Sequence, residues 1–170
     1  MTERIIQTER LTSEEKKQLF GWGENIFGGN IHNISWRPME QRFVLKIDGE
    51  PVGHLGLIRE QLVIDGEQFD IAGVGDVVTI PEMQRKGVAR KLMHHATDFF
   101  LNEWKVDAGV LFCLERLVPY YQSLGWQIAN NPIFVMQPTG QIRFPNCMMV
   151  WPTKRKAWTE GEIRTNSLPW

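Results

Sequence analysis

Residues 84–89, with the sequence Gln-Arg-Lys-Gly-Val-Ala, have the composition of an anion-binding turn. Gly87 and Ala89 have little or no side chain, so a ligand can approach the backbone closely, and Arg85 and Lys86 add positive charge. If a helix begins here, its first backbone N–H groups lack intrahelical partners and its dipole adds partial positive charge. The turn therefore predicts a phosphate or pyrophosphate site; the alternative is a basic, solvated helix start without a ligand.

The flanking sequence places this turn between a strand and a helix. Residues 77–80 are rich in β-branched side chains, which favour a strand, and Pro81 ends it. Residues 88–99 then carry apolar side chains at spacings of four and three, which is typical of one helix face. No P-loop motif is present, and the glycines at 73–75 lead into a strand, whereas a dinucleotide fingerprint opens a helix.

Length and composition describe an ordinary soluble protein. The chain has 170 residues, with 42% hydrophobic and 23% charged, and predicts one domain spanning residues 1–170. Its net charge of −1 gives no general argument for binding nucleic acid or an anionic membrane. No apolar run approaches the ~18 residues of a membrane span, and no signal-peptide core follows Met1. A cytoplasmic protein is expected.

The two cysteines, Cys113 and Cys147, form neither a C-x-x-C pair nor a cluster with histidine at metal-ligand spacing. Both are expected to be buried thiols rather than a disulfide, which fits a reducing compartment. The sequence therefore predicts no metal site.

Hydrophobic periodicity and turn signals predict the other elements. Thr12 or Ser13 caps a helix to about Ile26, with Leu19, Trp22 and Ile26 on its inner face and glycines at 28 and 29 as its C-terminal cap. Glycines 73 and 75 predict a bulge or a close ligand approach. The predicted strands are 4–7, 42–47, 51–64, 67–80, 109–114, 135–136 and 147–151, with a short helix over 117–124. The strand at 109 completes a β-α-β unit and is expected to lie parallel to the strand before the helix.

Two motifs resemble signatures of the GNAT N-acetyltransferases. The segment Q-R-K-G-V-A at 84–89 resembles the acyl-CoA-binding motif [Q/R]-x-x-G-x-[G/A], in the same strand–turn–helix setting. The segment P-Y-Y-Q-S-L-G-W at 119–126 resembles the family's [F/Y]-Y-x-x-x-G-[F/W], about 30 residues later and in the same order. The resemblance implies an α+β (α/β) fold, the GNAT acyl-CoA N-acyltransferase fold, with a mixed central sheet of about six to seven strands flanked by helices.

The same resemblance implies the activity and the cofactor. Acetyl-CoA would donate an acetyl group to a primary amine of a small molecule by direct attack. Amides of the turn would bind the pyrophosphate, backbone groups of Val77 and Thr79 would pair with the pantetheine arm, and an N–H near Val77 or Val78 would polarise the thioester. The cofactor-binding residues are thus expected to be Val77, Val78, Thr79, Gln84, Arg85, Lys86, Gly87, Val88, Ala89 and Arg90.

Two proton-transfer roles are expected, a general acid and a general base, each with ranked candidates. Tyr121 matches the family's general acid, since a phenol with an ordinary pKa near 10 can protonate the leaving thiolate; Tyr120 is the weaker candidate. Asp76 is the first candidate for the base that deprotonates the amine, directly or through water, and Glu115 is the second. His54 is the third, because a lone histidine in a strand is more often structural.

A finer resemblance is to the aminoglycoside 2′-N-acetyltransferases. It rests on Y-x-S-x-G-W at 121–126, Q-P-T-G at 137–140, F-P at 144–145 and a tail with Trp158 and Trp170. In that family an acidic pocket and the chain-end carboxylate bind the polycationic substrate. Here the acids are only partly matched: Gly75 stands at one acidic position with Asp76 shifted by one, and Asn146, Cys147 and the segment 167–169 replace others. From these departures we expect a less cationic amine, and a small-amine acetyltransferase with or without aminoglycosides in its substrate range stays open.

Four residues are expected to line the acceptor pocket: Trp36, Gly75, Trp126 and Trp170. For Trp36, a local packing role is an equal alternative. Two other functions stay open, a non-catalytic acyl-CoA-binding or sensory module and a protein or peptide N-acetyltransferase. The expected partner is a small-molecule amine, with no nucleic acid and no membrane; a homodimer is considered, although nothing in the sequence decides the oligomeric state.

Overall fold

The computed structural model describes residues 1–28 and 33–170 of the chain. The strands are β1 (Glu3–Thr8), β2 (Gln41–Ile47), β3 (Glu50–Ile64), β4 (Glu67–Thr79), β5 (Ala108–Cys113), β6 (Gln127–Ala129), β7 (Ile133–Gln137), β8 (Gly140–Arg143), β9 (Cys147–Pro152) and β10 (Ile163–Arg164). The α-helices are α1 (Ser13–Phe20), α2 (Val88–Phe99) and α3 (Val118–Ser123). Short 3₁₀ turns precede α2 and α3, at Pro81–Met83 and Glu115–Leu117, and a π-helical turn, Phe100–Trp104, follows α2. None of the described helices is long and apolar enough to cross a membrane.

The strands form one mixed sheet in the order β6-β9-β5-β4-β3-β10-β7-β8, with β2 also on β3 and β1 on β2. The α+β class predicted from the sequence is confirmed, but the described part of the chain has ten strands, more than the six to seven expected. The three that the sequence did not predict, β6, β8 and β10, have two to four residues each. Such segments are too short to show a period, and each is paired with a neighbouring strand of the sheet.

Helix α1 begins with a capping box, as the sequence predicts. The Thr12 hydroxyl accepts from the Glu15 N–H at 3.1 Å, and the Glu15 carboxylate accepts from the Thr12 N–H at 2.8 Å. The predicted end at Ile26 is wrong, because the helix stops at Phe20 with Gly21 as its C-cap. Leu19 is fully buried, whereas Trp22 lies past the helix, 38% exposed, with its indole N–H donating to the Leu19 carbonyl. Gly29 of the expected cap lies outside the described residues.

Helix α2 connects β4 to β5 and buries its apolar face on the sheet. Val88, Leu92, Met93 and Ala96 are each at most 4% exposed and belong to the main hydrophobic core. Burial of a leucine-sized side chain contributes about 1.5–3 kcal/mol, so this face holds the helix on the sheet. Close packing depends on Gly53, where an added Cβ would lie 2.4 Å from Val88 Cγ1. The expected parallel pairing of β5 with β4 is confirmed.

The two central strands separate toward the carboxyl end of the sheet. Parallel pairing of β4 with β5 covers Ile71–Ala108 to Val74–Leu111, and β4 runs on to Thr79. The β3–β4 register shifts between His54 and Gly56, where Asp76 adopts a left-handed φ of 51°. The bulge therefore lies at Asp76, one residue after the predicted glycine segment 73–75.

The two glycines of that segment have a different role from the predicted bulge, because they make room for side chains. A Cβ on Gly73 would lie 2.5 Å from the Trp170 indole and 2.7 Å from Ile58 Cγ1. A Cβ on Gly75 would lie 2.6 Å from Met39 Cε. The flat, glycine-containing face of β4 thus admits Trp170 and Met39 against the backbone.

We expect Gly73→Ala to lower the free energy of unfolding by about 1–3 kcal/mol, because the rigid indole of Trp170 cannot yield without moving the tail. Urea unfolding measures this change. Gly23→Ala is the control, since an added Cβ there comes no nearer than 3.1 Å to Ile26. Equal stability of the two variants would show that the tail repacks freely.

Cys113 and Cys147 are free thiols that face each other across the antiparallel pairing of β5 and β9. Within residues 1–28 and 33–170, no three His, Cys, Asp or Glu side chains are grouped so that they could hold a metal ion.

Candidate active site

A cavity of about 340 Å³ lies where β4 and β5 separate. Its floor is formed by Val74–Val77 of β4 and by residues 111–114 at the end of β5, and Tyr121 of α3 closes one side. The loop before β2 and the tail complete the wall. Four of the sequence-predicted residues meet here in addition to Val77 and Tyr121: Trp36, Gly75, Asp76 and Trp170.

Asp76 projects from the bulge into this cavity. Asp76 is exposed as a residue, but protein atoms lie close enough around its carboxyl group to desolvate it in part. The resulting desolvation raises the pKa of Asp76, and the Arg42 guanidinium opposes that shift. A carboxylate whose pKa is raised above its ordinary value is a better proton acceptor, so Asp76 fits the role of a general base.

Tyr121 lies in α3 and is 7% exposed. Burial raises the pKa of its phenol, and the neighbouring Cys113 and Tyr120 raise it further. The two tyrosine rings meet edge to face with centroids 5.2 Å apart. Tyr121 is therefore protonated at neutral pH and has a proton to donate at the cavity wall.

Cys113 also lines the cavity, at the end of β5. Burial raises the pKa of its thiol to about 11, with a further contribution from Cys147. A thiol that stays protonated at neutral pH is a poor nucleophile, so the site does not favour an acyl-cysteine intermediate.

His54 lies beneath the bulge and has no exposed surface. Its Nδ1 lies 2.8 Å from the Asp76 carbonyl oxygen, so this nitrogen carries the proton and donates it, and the buried Nε2 has no partner among the described residues. Burial lowers the pKa of His54 to about 4, although the bond to Asp76 raises it. His54 is therefore neutral and positions the bulge, and it does not line the cavity.

The burial of neutral His54 predicts a pH dependence of stability. Its folded pKa of about 4 is below the ordinary 6.5, so its stabilisation is fully present above pH 6.5 and is lost as the pH falls toward 4. The loss is at most about 3 kcal/mol. Urea unfolding between pH 7 and 4 measures how the free energy of unfolding changes with pH. This change should be smaller for His54→Gln than for the wild type, whereas His94→Gln, on the exposed side of α2, should change as the wild type does. Equal slopes in all three proteins would contradict this role.

The basic turn before α2 has the backbone geometry of an anion site. Gly87 is the N-cap residue with φ 84°, Arg85 has φ 61°, and no side chain caps the helix. An added Cβ on Gly87 would have nothing within 4 Å, so the space above the turn is open. Arg85, Lys86 and Arg90 are exposed, whereas Lys91 pairs with Glu3 at 2.7 Å. The first helical N–H groups and three cations are thus available to an anion.

The end of β4 connects this turn to the cavity. Beyond Val74 its edge facing β5 is open, so an extended ligand can pair with the backbone there. Val77 lines the cavity, while Val78 points the opposite way into a small core with Leu11 and Leu19. The Gln84 side chain donates to the Thr79 carbonyl at 3.2 Å and thereby joins strand and turn.

Glu115, predicted for catalysis, and Trp126, predicted for acceptor binding, do not line the cavity. Glu115 is exposed in the 3₁₀ turn before α3. Trp126 is 2% exposed and packs in the core against Phe100 and Trp151. A signature motif marks the position of a residue but not the direction of its side chain.

Sequence reasoning missed Arg37, Met39 and Phe112, which all line the cavity. Arg37 and Met39 lie in a loop whose fold depends on long-range contacts, such as the Arg37 N–H donating to the Pro169 carbonyl at 2.9 Å. Phe112 alternates with buried residues on β5, and strand alternation is the signal that could have found it.

A second cavity of about 550 Å³ lies between residues 129–133 and 143–148. It contains none of the predicted site residues, and Asn146 lines both cavities. An acid, a phenol and an open strand edge meet at the first cavity, which is therefore the candidate active site.

Residues 9–129 match the family described as the acetyltransferase (GNAT) domain. The chain belongs to the GNAT acetyltransferase family. Among curated proteins, this GNAT chain is similar to the spermidine N(1)-acetyltransferases of Escherichia coli K12 and O157:H7, each 28% identical over 133 residues. The match covers 76% of this chain and 66% of each relative, so the chain spans slightly under two thirds of their length.

Solved GNAT structures show the same fold. A GNAT acetyltransferase from Brucella melitensis in complex with acetyl-CoA has a TM-score of 0.58 at 14% identity, covering 96% of both chains. A putative N-acetyltransferase from Lactobacillus plantarum has a TM-score of 0.59 at 14% identity, covering 89% of this chain and 99% of that one. The Bacillus subtilis N-acetyltransferase YlbP, in complex with coenzyme A, has a TM-score of 0.56 at 13% identity, covering 89% and 97%.

Proposed function

We propose that this GNAT chain transfers an acetyl group from acetyl-CoA to a primary amine of a small molecule by direct attack. The observation that carries the proposal is the open end of β4, which links the uncapped turn at Gly87 to the cavity that holds Asp76 and Tyr121. The acetyl-CoA and coenzyme A complexes of the Brucella and Bacillus proteins support the choice of cofactor.

The residues present fit acetyl-CoA. The open space at Gly87, its left-handed φ and the exposed Arg85, Lys86 and Arg90 suit a pyrophosphate. The open edge of β4 beyond Val74 suits an extended amide-containing arm, which would pair with Val77 and Thr79 as an added strand. Bound there, acetyl-CoA supplies the acetyl group as an activated thioester.

Groups of the protein then transfer protons and stabilise the negative charge that develops during the reaction. Asp76 accepts a proton from the ammonium of the acceptor, directly or through water, and so produces the neutral nucleophilic amine. A backbone N–H at Val77 or Val78 donates to the thioester carbonyl oxygen as negative charge develops on it. Tyr121 donates its phenolic proton to the departing thiolate. His54 keeps the Asp76 bulge in place through its bond to the Asp76 carbonyl.

Thiol release from acetyl-CoA across a panel of amines tests this function. At least one small amine should raise the rate well above the amine-free background, with a mono-acetylated product by mass spectrometry. Calorimetric binding of acetyl-CoA without turnover of any amine would overturn the proposal in favour of a non-catalytic acyl-CoA-binding or sensory module. Turnover confined to peptides would point to a peptide N-acetyltransferase.

A further inference from the structure

We propose that Cys113 and Cys147 form a modification site, at which hydrogen peroxide oxidises the two thiols to an intramolecular disulfide that slows the proposed reaction. Formation of the bond depends on the position of the two cysteines alone. Its effect on turnover rests on the proposed function, because the bond acts through the wall of the same cavity.

The two cysteines are placed for such a bond by the sheet. The pairing of β5 with β9 puts Cys113 directly opposite Cys147, and both thiols are free. Directly opposite residues of an antiparallel pair share one face of the sheet, with Cα atoms about 4.5–5.5 Å apart. Disulfides in proteins span Cα distances of about 4.4–6.8 Å. The strand register therefore brings together two cysteines that the sequence spacing does not connect.

Contacts around the two thiols support this placement. Cys113 belongs to the main hydrophobic core, and Cys147 packs against the same cluster. Cys147 also contributes to the raised pKa of Cys113, which requires the two sulfurs to be close. A reduced pair held in one apolar cluster fits the resting state of a protein in a reducing compartment.

A small oxidant can reach the pair from two sides. Cys147 is partly exposed, whereas Cys113 is 5% exposed and lines the cavity of about 340 Å³. Hydrogen peroxide is uncharged and little larger than water, so a cavity with room for an amine also admits it.

The reaction begins at Cys147, because Cys147 is the more exposed residue and the pKa of Cys113 is raised to about 11. The Cys147 thiolate attacks one peroxide oxygen, the O–O bond breaks, and the departing hydroxide takes up a proton to become water. Cys147 is then a sulfenic acid. The Cys113 sulfur attacks the Cys147 sulfur, loses its proton and displaces a second water.

The balance is closed by these two steps. Two thiols and one hydrogen peroxide give one disulfide and two waters, so the sulfur pair loses two electrons and the peroxide gains them. Attack by Cys113 is intramolecular, and this proximity compensates for the small fraction of its thiolate form.

The bond changes the cavity wall beside the proposed general acid. Cys113 and Tyr121 line the cavity together, and Cys113 contributes to the raised pKa of Tyr121. An S–S bond of about 2.05 Å is much shorter than a contact between two free thiols, so Cys113 must move toward Cys147. The bond also joins the two ends of the segment that carries α3 and Tyr121. A shift of about 1 Å at a catalytic group can cost about 100-fold in rate.

Mass spectrometry of the reduced protein after treatment with hydrogen peroxide and an alkylating reagent tests the bond. We expect a mass loss of about 2 Da, a peptide linking Cys113 to Cys147, and complete reversal by dithiothreitol. Cys113→Ser should instead accumulate a sulfenic acid at Cys147, which dimedone labels. Alkylation of both thiols, oxidation without a link, or a link between two chains would each overturn the proposal.

Turnover measurements test the effect on the reaction. With acetyl-CoA and an accepted amine, kcat should fall at least tenfold after peroxide and return with dithiothreitol. Cys147→Ser is the control, because Cys147 does not line the cavity and the variant lacks the bond. Its activity should be the same before and after peroxide, although all seven methionines remain oxidisable.

Two results would overturn the effect on turnover: an equal loss of activity in Cys147→Ser, or a complete disulfide with unchanged kcat. If the reduced protein acetylates no amine, the proposed function fails and the effect on turnover fails with it. The mass measurement still decides whether the disulfide forms, so the two failures are distinguishable.

Discussion

Gly87→Glu is expected to weaken acetyl-CoA binding at least 100-fold while the protein stays folded. The new side chain would occupy the open space above the turn and place a carboxylate where the pyrophosphate is proposed to bind. A loss of this size corresponds to about 2.7 kcal/mol of binding free energy. Calorimetry with acetyl-CoA measures it directly, without dependence on the acceptor amine.

Gly66→Glu is a closely matched control. Gly66 has φ 82° against 84° for Gly87, and an added Cβ meets nothing within 4 Å at either position. Both variants therefore carry the same backbone strain of about 1–2 kcal/mol and the same change in charge. Gly66 lies in the turn between β3 and β4, so acetyl-CoA affinity should be unchanged there. An equal loss in both variants, or none in Gly87→Glu, would contradict an anion site at this turn.

Asp76→Asn is expected to lower kcat about 10²- to 10³-fold, the usual contribution of a general base, while acetyl-CoA affinity is preserved. Asparagine has nearly the same shape and tolerates the left-handed φ of 51°, so the bulge should survive. Asp48→Asn, at φ 50° in the β2–β3 turn, repeats the chemical change away from the cavity and should leave kcat unaltered.

The pH profile gives an independent measurement of the same group. A general base works when it is deprotonated, so wild-type kcat/KM should rise with pH through a pKa above the ordinary 3.8 of aspartate. This acid limb should disappear in Asp76→Asn. Unchanged turnover in the variant across the pH range would remove Asp76 from the mechanism.

The raised pKa of Asp76 also predicts that the free energy of unfolding falls with rising pH, whereas activity rises. Because desolvation raises this pKa, ionisation of the carboxyl disfavours the folded state, so stability present below pH 3.8 decreases as the pH rises through the folded pKa. At neutral pH, Asp76→Asn should therefore be at least as stable as the wild type in urea. A variant that is more stable and less active would indicate that the ionised carboxylate of Asp76 costs stability and is retained for function.

The elements that sequence reasoning predicted correctly are those with a long, regular pattern. β2, β3 and β4 lie within one residue of the predicted bounds at both ends, because alternation and Asp-Gly turns specify them. α1 was predicted too long, since an apolar spacing at Trp22 and Ile26 does not reveal that the chain turns at Gly21. β10 has two residues and depends on β3 and β7, which lie far away in sequence.

The candidate site was predictable where it depends on backbone geometry. The strand–turn–helix setting of Gly87 follows from local sequence and appears in the structure, whereas the bulge predicted at glycines 73 and 75 lies at Asp76. The direction of single side chains was not predictable, as Trp126 in the core and Glu115 at the surface show. The loop that carries Arg37 takes its place from contacts with the tail, which no local pattern encodes. The finer likeness to aminoglycoside 2′-N-acetyltransferases stays a prediction.

The parallel pairing between β4 and β5 is short, and this has a consequence for the stability of the protein. Four residue pairs join these strands, from Ile71–Ala108 to Val74–Leu111, so the backbone pairing across the middle of the sheet is limited to this stretch. An extended molecule hydrogen-bonded along the free edge of β4 would continue the pairing beyond Val74 and connect the parts of the sheet on either side of it. The free energy of unfolding, and with it resistance to heat and proteolysis, would then increase with the logarithm of the ligand concentration above Kd.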